Sequence, residues 1–314
     1  MAEVWIMGEM LVEIMRPTEG ISLYEEGLFR GPFPSGAPAI FIDTVARLGH
    51  SAGIIGGVGR DDFGKCLLDR LQKDGVDCSH VLENDVYATG VAFVTYFADG
   101  SRKFIFHMGN TPAVEAKAPS DIDLEGVRFF HIMGCSLMAR SDFAQEIVKT
   151  MRMARNLGAK ISFDPNIRKE LLKDESFFEV VKEVMENTNI FLPGVEELLL
   201  ISGKQTVEEA VAKSFENPAL EILVLKNGSK GCTVYSRTET ISMGVYPVKA
   251  VDATGAGDSF DGAFICGLLE NLDLKSTARL ASAAGALNTT AFGPMEGDIS
   301  IDSVNQMINA DKHN

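Results

Sequence analysis

A chain of 314 residues, 46% of them hydrophobic, can fill a full core, and α/β folds of this length often form one large core with an appendage. Its net charge of −15 repels phosphate backbones and so excludes broad nucleic-acid binding, while leaving room for a phosphate held by local amides and one or two cations. No apolar run reaches the ~18 residues of a membrane span, and five scattered cysteines and five dispersed histidines offer no disulfide framework or zinc site, so a reducing cytoplasm is expected.

In chain order, Met1 to Met15 reads as a first strand and not a signal peptide, because Glu3, Glu9 and Glu13 interrupt it and no basic stretch precedes it. Strands are expected over Glu3–Met7, Ala52–Gly56, Phe129–Met133, Lys160–Phe163, Ile190–Leu192 and Ile222–Lys226. Helices are expected over Ala39–Leu48, Lys65–Asp74, Asp142–Leu157, Ser176–Glu186, Glu196–Ser202 and Thr206–Glu216. This alternation implies βαβ units and a mostly parallel sheet covered on both faces, with ligands at the carboxyl ends of its strands. Two regions break the rhythm. Residues 13–33 are rich in Pro and Gly, and 89–108 alternate about Asp99-Gly100, a hairpin signal. Together they are expected to form a small antiparallel sheet on the main domain. Ala- and Leu-rich stretches such as Ala278–Thr289 read as buried helices, and the absence of a linker makes 1–314 one domain.

The chemistry concentrates at Asp252-Ala253-Thr254-Gly255-Ala256-Gly257-Asp258. Three small residues let backbone approach a ligand, and the apolar helix that follows points its free N-terminal amides to the same place. Asp258 is open to two readings: a helix-start acid favoured by the dipole, or a base beside amides that cradle phosphate, as phosphoryl transfer requires.

The segment resembles the D-T-x-G-A-G-D signature of the ribokinase-like (PfkB) carbohydrate kinases. Other matches occur in family order. Ser35-Gly36-Ala37-Pro38-Ala39-Ile40, Val45-Ala46-Arg47-Leu48-Gly49 and Gly56-Gly57-Val58-Gly59-Arg60-Asp61-Asp62-Phe63-Gly64 resemble the first signature. Phe163-Asp164-Pro165-Asn166-Ile167-Arg168 resembles D-x-N-x-R, and Lys226-Asn227-Gly228-Ser229-Lys230-Gly231 the K-x-G-x-x-G nucleotide loop. The resemblance implies a three-layer α/β/α sandwich with a β lid, and ATP with Mg2+ as phosphoryl donor. It implies Asp258 as general base towards a primary hydroxyl and Gly255, Ala256 and Gly257 as the anion hole. Lys226, Gly228, Gly231 and Thr254 would meet the nucleotide, with Ser282 near adenine, and Gly36 would touch the sugar. Asp252 and Thr254 lie where many members hold a monovalent cation such as K+. Lid pairing into a homodimer is a further implication, for which the apolar strand Val91–Phe97 is suited.

Four departures bear on substrate and metal. Ile40 stands where the family carries a sugar-binding Asn; helix spacing puts Asp43 on the same face, either as a replacement hydroxyl contact or as an ordinary helix acid. Glu13 replaces the usual Asp and reaches the sugar from one methylene further back. Gly194 replaces the Asn of N-x-x-E while Glu197 remains, to organise magnesium through water. His107 stands where relatives acting on 2-keto-3-deoxygluconate carry Arg, and Arg168 is shared with relatives acting on fructose, so the expected substrate is a ketohexose or a keto-sugar acid.

The same sequence bears on two other enzyme classes and a non-catalytic one. Gly59 to Cys66 nearly fits a P-loop, but Cys66 replaces the magnesium-binding hydroxyl and two acids lie inside the loop. No G-x-G-x-x-G follows the first strand, which argues against an NAD-type oxidoreductase. A catalytically weak sugar-binding or regulatory protein on the kinase scaffold is kept open by Ile40 and Gly194.

Overall fold

The computed structural model describes residues 2–99, 101–168 and 176–311. The chain opens with β1 (Val4–Met7), β2 (Leu11–Met15), β3 (Arg30–Ser35), α1 (Ala37–Arg47), β4 (Ala52–Gly59), α2 (Asp62–Lys73) and β5 (Asp77–Asn84). A hairpin follows, β6 (Gly90–Tyr96) and β7 (Arg102–His107), then β8 (Phe129–Met133), α3 (Gly134–Ala139), α4 (Ser141–Asn156) and β9 (Lys160–Asp164). The remainder is α5 (Ser176–Asn187), β10 (Ile190–Phe191), α6 (Val195–Ser202), α7 (Val207–Ser214), β11 (Ile222–Lys226), β12 (Cys232–Ser236), β13 (Thr240–Met243), α8 (Ala256–Leu269), α9 (Leu274–Asn288) and α10 (Ile301–Asp311).

Nine strands form the main sheet in the order β13-β12-β11-β10-β9-β8-β1-β4-β5. Pairing is parallel from β11 to β5 and antiparallel on both sides of β12, the one reversed strand among the nine. Side-chain alternation divides each inner strand between two cores. Val4 and Ile6 of β1 pack with α1, α8 and α9, while Trp5 and Met7 pack with α4 and α5. This is the three-layer sandwich, and its apolar strands are buried on both faces, as parallel sheets require. Each fully buried Val, Ile or Phe contributes about 1.5–3 kcal/mol of transfer free energy. Helix α8 is mostly apolar after its first two turns and lies between α1 and α9, buried along most of its length.

The second sheet has the order β3-β2-β6-β7. Its outer pairs are antiparallel and its central pair, β2 with β6, is parallel. The hairpin at Asp99 is present: Phe97 N donates to Ser101 O at 2.9 Å, and Ser101 N to the Asp99 carboxylate at 2.9 Å. The strand expected to pair with a second lid, Val91–Phe97, corresponds to β6 and is not an edge. Both its backbone edges are already bonded, to β2 and to β7, so it has no ladder to offer a partner.

The near-P-loop is also resolved. Asp61 caps α2, its Oδ1 accepting Gly64 N at 2.8 Å and Thr89 Oγ1 at 2.7 Å and its Oδ2 accepting Thr89 N at 2.8 Å. The loop thus spends its helix-start amide on its own carboxylate, and Lys65 lies on the surface paired with Asp69.

Candidate active site

The carboxyl ends of β1, β8, β9 and β11 converge with the N-termini of α1 and α8 on one cavity, roofed by the inner face of the lid. Its walls bring together Glu9, Glu13, Gly36, Ile40, Arg102, Asp164, Asn166, Arg168, Glu197, Lys226, Thr254, Gly255, Gly257 and Asp258. Residues far apart in sequence meet here because each follows a strand that ends at the same rim.

Helix α8 begins at Gly255, whose φ of 80° is left-handed. A Cβ there would run into the carbonyl of Pro294, so only glycine allows the turn that aims the helix. The first close helical bond is from Ser259 N to Gly255 O at 2.9 Å, and Ala256 N makes only a 3.4 Å contact with Ala253 O. Among the described residues, the amides of Gly257 and Asp258 have no backbone acceptor, which is the anion-binding end expected of a helix start.

Asp258 is 6% exposed, and burial raises its carboxyl to about 6 against the pull of Arg168 and Lys226. Asn166 Nδ2 donates to its Oδ1 at 2.8 Å. Asn166 itself has a φ of 39°, a left-handed conformation that Asn tolerates and that turns its amide towards both Asp258 and Asp164. Asn166 had no assigned role in the sequence reading, although the D-x-N-x-R motif holds it.

Lys226 Nζ sits 2.8 Å from Asp164 Oδ2 and 2.8 Å from Asp261 Oδ2. Burial works to lower the ammonium's proton affinity, but the two carboxylates outweigh it and the net direction is upward. Asp261 is pushed well up by burial and Asp164 is held down, chiefly by Lys226 acting against its burial. Lys226 thus holds the two buried acids together through one ammonium, and their proton affinities are pushed in opposite directions. An acid at 261, inside an apolar helix, was the sequence signal for this pairing.

Glu197 accepts Ile167 N at 2.8 Å and Gly194 N at 2.7 Å. Gly194, in the place of Asn, is thus the N-cap residue on which Glu197 folds back. Glu13 accepts Ser35 Oγ at 2.7 Å; burial raises it to about 7, and its Oε2 is buried without a partner. A polar ligand in the cavity would meet that demand.

Several expected contacts fall elsewhere. Asp43 is absent from the cavity wall. It lies between α1 and α2, 3.7 Å from Arg47 and 3.9 Å from Arg70, and burial raises its carboxyl to about 8. It lies off the cavity wall and, at 2% exposure, is not an exposed helix acid. His107 is on the outward face of the lid, edge-on to Phe93, because alternation along β7 turns Arg102, Phe104 and Phe106 inwards. The inward lid cation is Arg102. Gly228 lines a groove beside the cavity with Asn227, Lys230 and the start of α6. Gly231 does not; a Cβ there would strike the Met243 carbonyl, so its φ of 92° serves the strand turn. Ser282 is buried on α9 beside Cys232, away from cavity and groove.

Comparison with known proteins agrees with this geometry. The pattern of the pfkB family of carbohydrate kinases matches residues 1–301. Fructokinase-2 of Solanum lycopersicum is 33% identical over 298 residues, covering 91% of this chain and 90% of its own, and the fructokinase of Solanum tuberosum is 32% identical over 297 residues, covering 91% and 89%. An E. coli protein given the provisional name ribokinase II, solved with ATP and Mg2+, superposes with a TM-score of 0.93 at 39% identity, covering 99% of this chain and all of that one. The chain belongs to the pfkB family of carbohydrate kinases and is an ATP-dependent sugar kinase.

Proposed function

We propose that the chain, acting as one unit over 1–314, transfers the γ-phosphate of ATP to a primary hydroxyl of a ketohexose, fructose first, with Asp258 as general base. What supports this most is a carboxylate titrating at about 6 next to the free amides of Gly257 and Asp258, in a cavity that also holds Glu13 and Gly36. With Oδ1 taken by Asn166, Oδ2 of Asp258 is left to accept the hydroxyl proton. The amides face the negative charge that builds on the transferring group; the hydroxyl oxygen attacks the γ-phosphorus as its proton passes to Asp258 Oδ2, and the bond from phosphorus to the bridging oxygen breaks to release ADP. Glu13, through its unpaired Oε2, is suited to accept a sugar hydroxyl.

The groove along Asn227–Lys230 offers the nucleotide a seat that ends at the cavity. Mg2+ bound with ATP neutralises phosphate charge, and Glu197, with a lone pair left on each oxygen, fits the task of holding its waters. Lid pairing would use the outward face, where Ile105 is 43% exposed; sedimentation of the wild type and an Ile105→Lys variant tests it, and a dimer unchanged by the substitution would rule that face out.

A 2-keto-3-deoxy sugar acid is the second reading, favoured by the Arg102 guanidinium on the same cavity, with Arg168 common to both readings. ADP release over a panel of ketoses, aldoses and keto-sugar acids separates the readings. Preferred turnover of fructose supports the first and of the acid the second. Sugar binding without turnover would leave only a regulatory role.

A further inference from the structure

The loop before α8 turns strong acceptors inward: the Asp252 carboxylate, 5% exposed, and the Thr254 carbonyl. Such oxygens are what a dehydrated monovalent cation needs in exchange for its hydration shell. In this chain they are already taken by protein donors. Asp252 Oδ1 accepts Thr254 N at 3.0 Å and Thr254 Oγ1 at 2.8 Å. Oδ2 accepts Gly293 N at 3.1 Å, and Tyr96 Oη reaches both carboxylate oxygens at 3.2 Å from the lid. A carboxylate offers about four lone-pair sites, so these four donors saturate it. The Thr254 carbonyl accepts Asn288 Nδ2 at 2.7 Å. Asn288 is fully buried, and its opposite amide orientation would set oxygen against oxygen.

Positive charge is also supplied. Arg102 Nη1 donates to Thr254 Oγ1 at 3.0 Å, and that hydroxyl donates on to Asp252, so a guanidinium stands one hydroxyl away from the buried carboxylate. The Asp252 and Thr254 oxygens that the family's resemblance assigned to K+ fit one poorly, because each already receives an N–H or O–H, although Asn288 Oδ1 is buried without a partner.

We infer that Asn288, with Tyr96, Arg102 and the Gly293 amide, does the work of a monovalent cation, ordering the Asp252–Gly255 loop so that phosphoryl transfer proceeds without one. The inference rests on the sugar-kinase reading for its kinetic arm only. It also gives the lid a positioning part: Tyr96 and Arg102 belong to β6 and β7, so the loop is fully held only when the lid lies over it.

The test compares the enzyme at equal ionic strength in potassium, sodium and choline chloride. Turnover on the best sugar of the panel should agree within about two-fold across the three salts. Hydrogen exchange of the amides from 252 to 258 should be identical in potassium and choline. Asn288→Asp places a carboxylate oxygen against the Thr254 carbonyl and should create a cation requirement, with turnover about 100-fold down in choline and about ten-fold recovered in potassium. Activation of the wild type by potassium of more than about ten-fold would overturn the inference, as would slower exchange at 252–258 in potassium alone. Wild-type turnover by Asn288→Asp in every salt would remove Asn288 from the role. Should Asn288→Asp fail to fold, the wild-type salt and exchange measurements still decide. Should no sugar be turned over in any salt, the kinase reading falls while the exchange comparison still judges the clamp.

Discussion

Replacing Asp258 by Asn tests the chemistry with little change in shape. The amide oxygen can still accept from Asn166 Nδ2, now 2.8 Å from Oδ1, so the rotamer has reason to stay. What is lost is a base titrating at about 6. At pH 7.5 such a group is about 97% ionised, so nearly all of its contribution is in use. General-base assistance is worth about 10²–10⁴ in rate, so kcat should fall about 1,000-fold, equivalent to ~4 kcal/mol of transition-state stabilisation. The KM for ATP should hold, because the anion-binding amides are backbone. The wild type should also lose kcat/KM below pH 6 with a limiting slope of about one decade per pH unit, since protonation removes the base, and the variant should show no such limb. Coupled ADP-release kinetics from pH 5 to 9 measure both. A variant within about ten-fold of the wild-type kcat, or one that keeps the acid limb, would refute Asp258 as base.

Other substitutions probe separate parts of the site. Lys226→Met leaves Asp164 and Asp261 facing each other without their cation, and thermal or urea unfolding should show a loss of about 3–5 kcal/mol. Gly255→Ala must abandon the left-handed turn or meet Pro294, so stability should drop by about 1–3 kcal/mol with turnover falling further, as measured by melting and kinetics on one sample. Asp43→Ala should leave the sugar KM unchanged, since the side chain is off the cavity wall. Asp43 is protonated more readily folded (about 8) than unfolded (3.8), so its contribution to stability is complete below pH 4 and lost as pH rises through 8. Asp43→Asn, with no proton to lose, should therefore match the wild type in acid and exceed its melting temperature at pH 9. Glu13→Gln keeps the Ser35 contact possible but removes a charge-assisted acceptor, and should raise the sugar KM with little change in that for ATP.

Much of the frame was legible in the sequence because apolar runs of strand length alternate with helical ones, and such runs leave a parallel sheet little choice. The Asp252–Asp258 loop was legible because close backbone approach needs small residues in order. The side-chain partners were harder to read. Asp43 was placed by helix spacing and His107 by its place in the family's lid pattern, yet neither says which face meets the cavity; that depends on how α1 packs on α2 and on the register of β7. Asn288 carried no local signal, since its partner is a carbonyl 34 residues away. Asn166 and Asp164 lay within a recognised motif, but their parts in positioning Asp258 and Lys226 appear only when two strand ends meet.

The lid is rooted in the wall of the cavity proposed to seat the sugar. Three residues separate β1 from β2, one separates β3 from α1, and β7 runs out through Met108; Glu9, Gly36 and Met108 at these roots all line the cavity. On that proposal a bound sugar would meet the roots of the lid as well as its underside. Changes there that retune which sugar is accepted will also retune how readily the lid opens to release product, so affinity and turnover should shift together when specificity is altered at these roots.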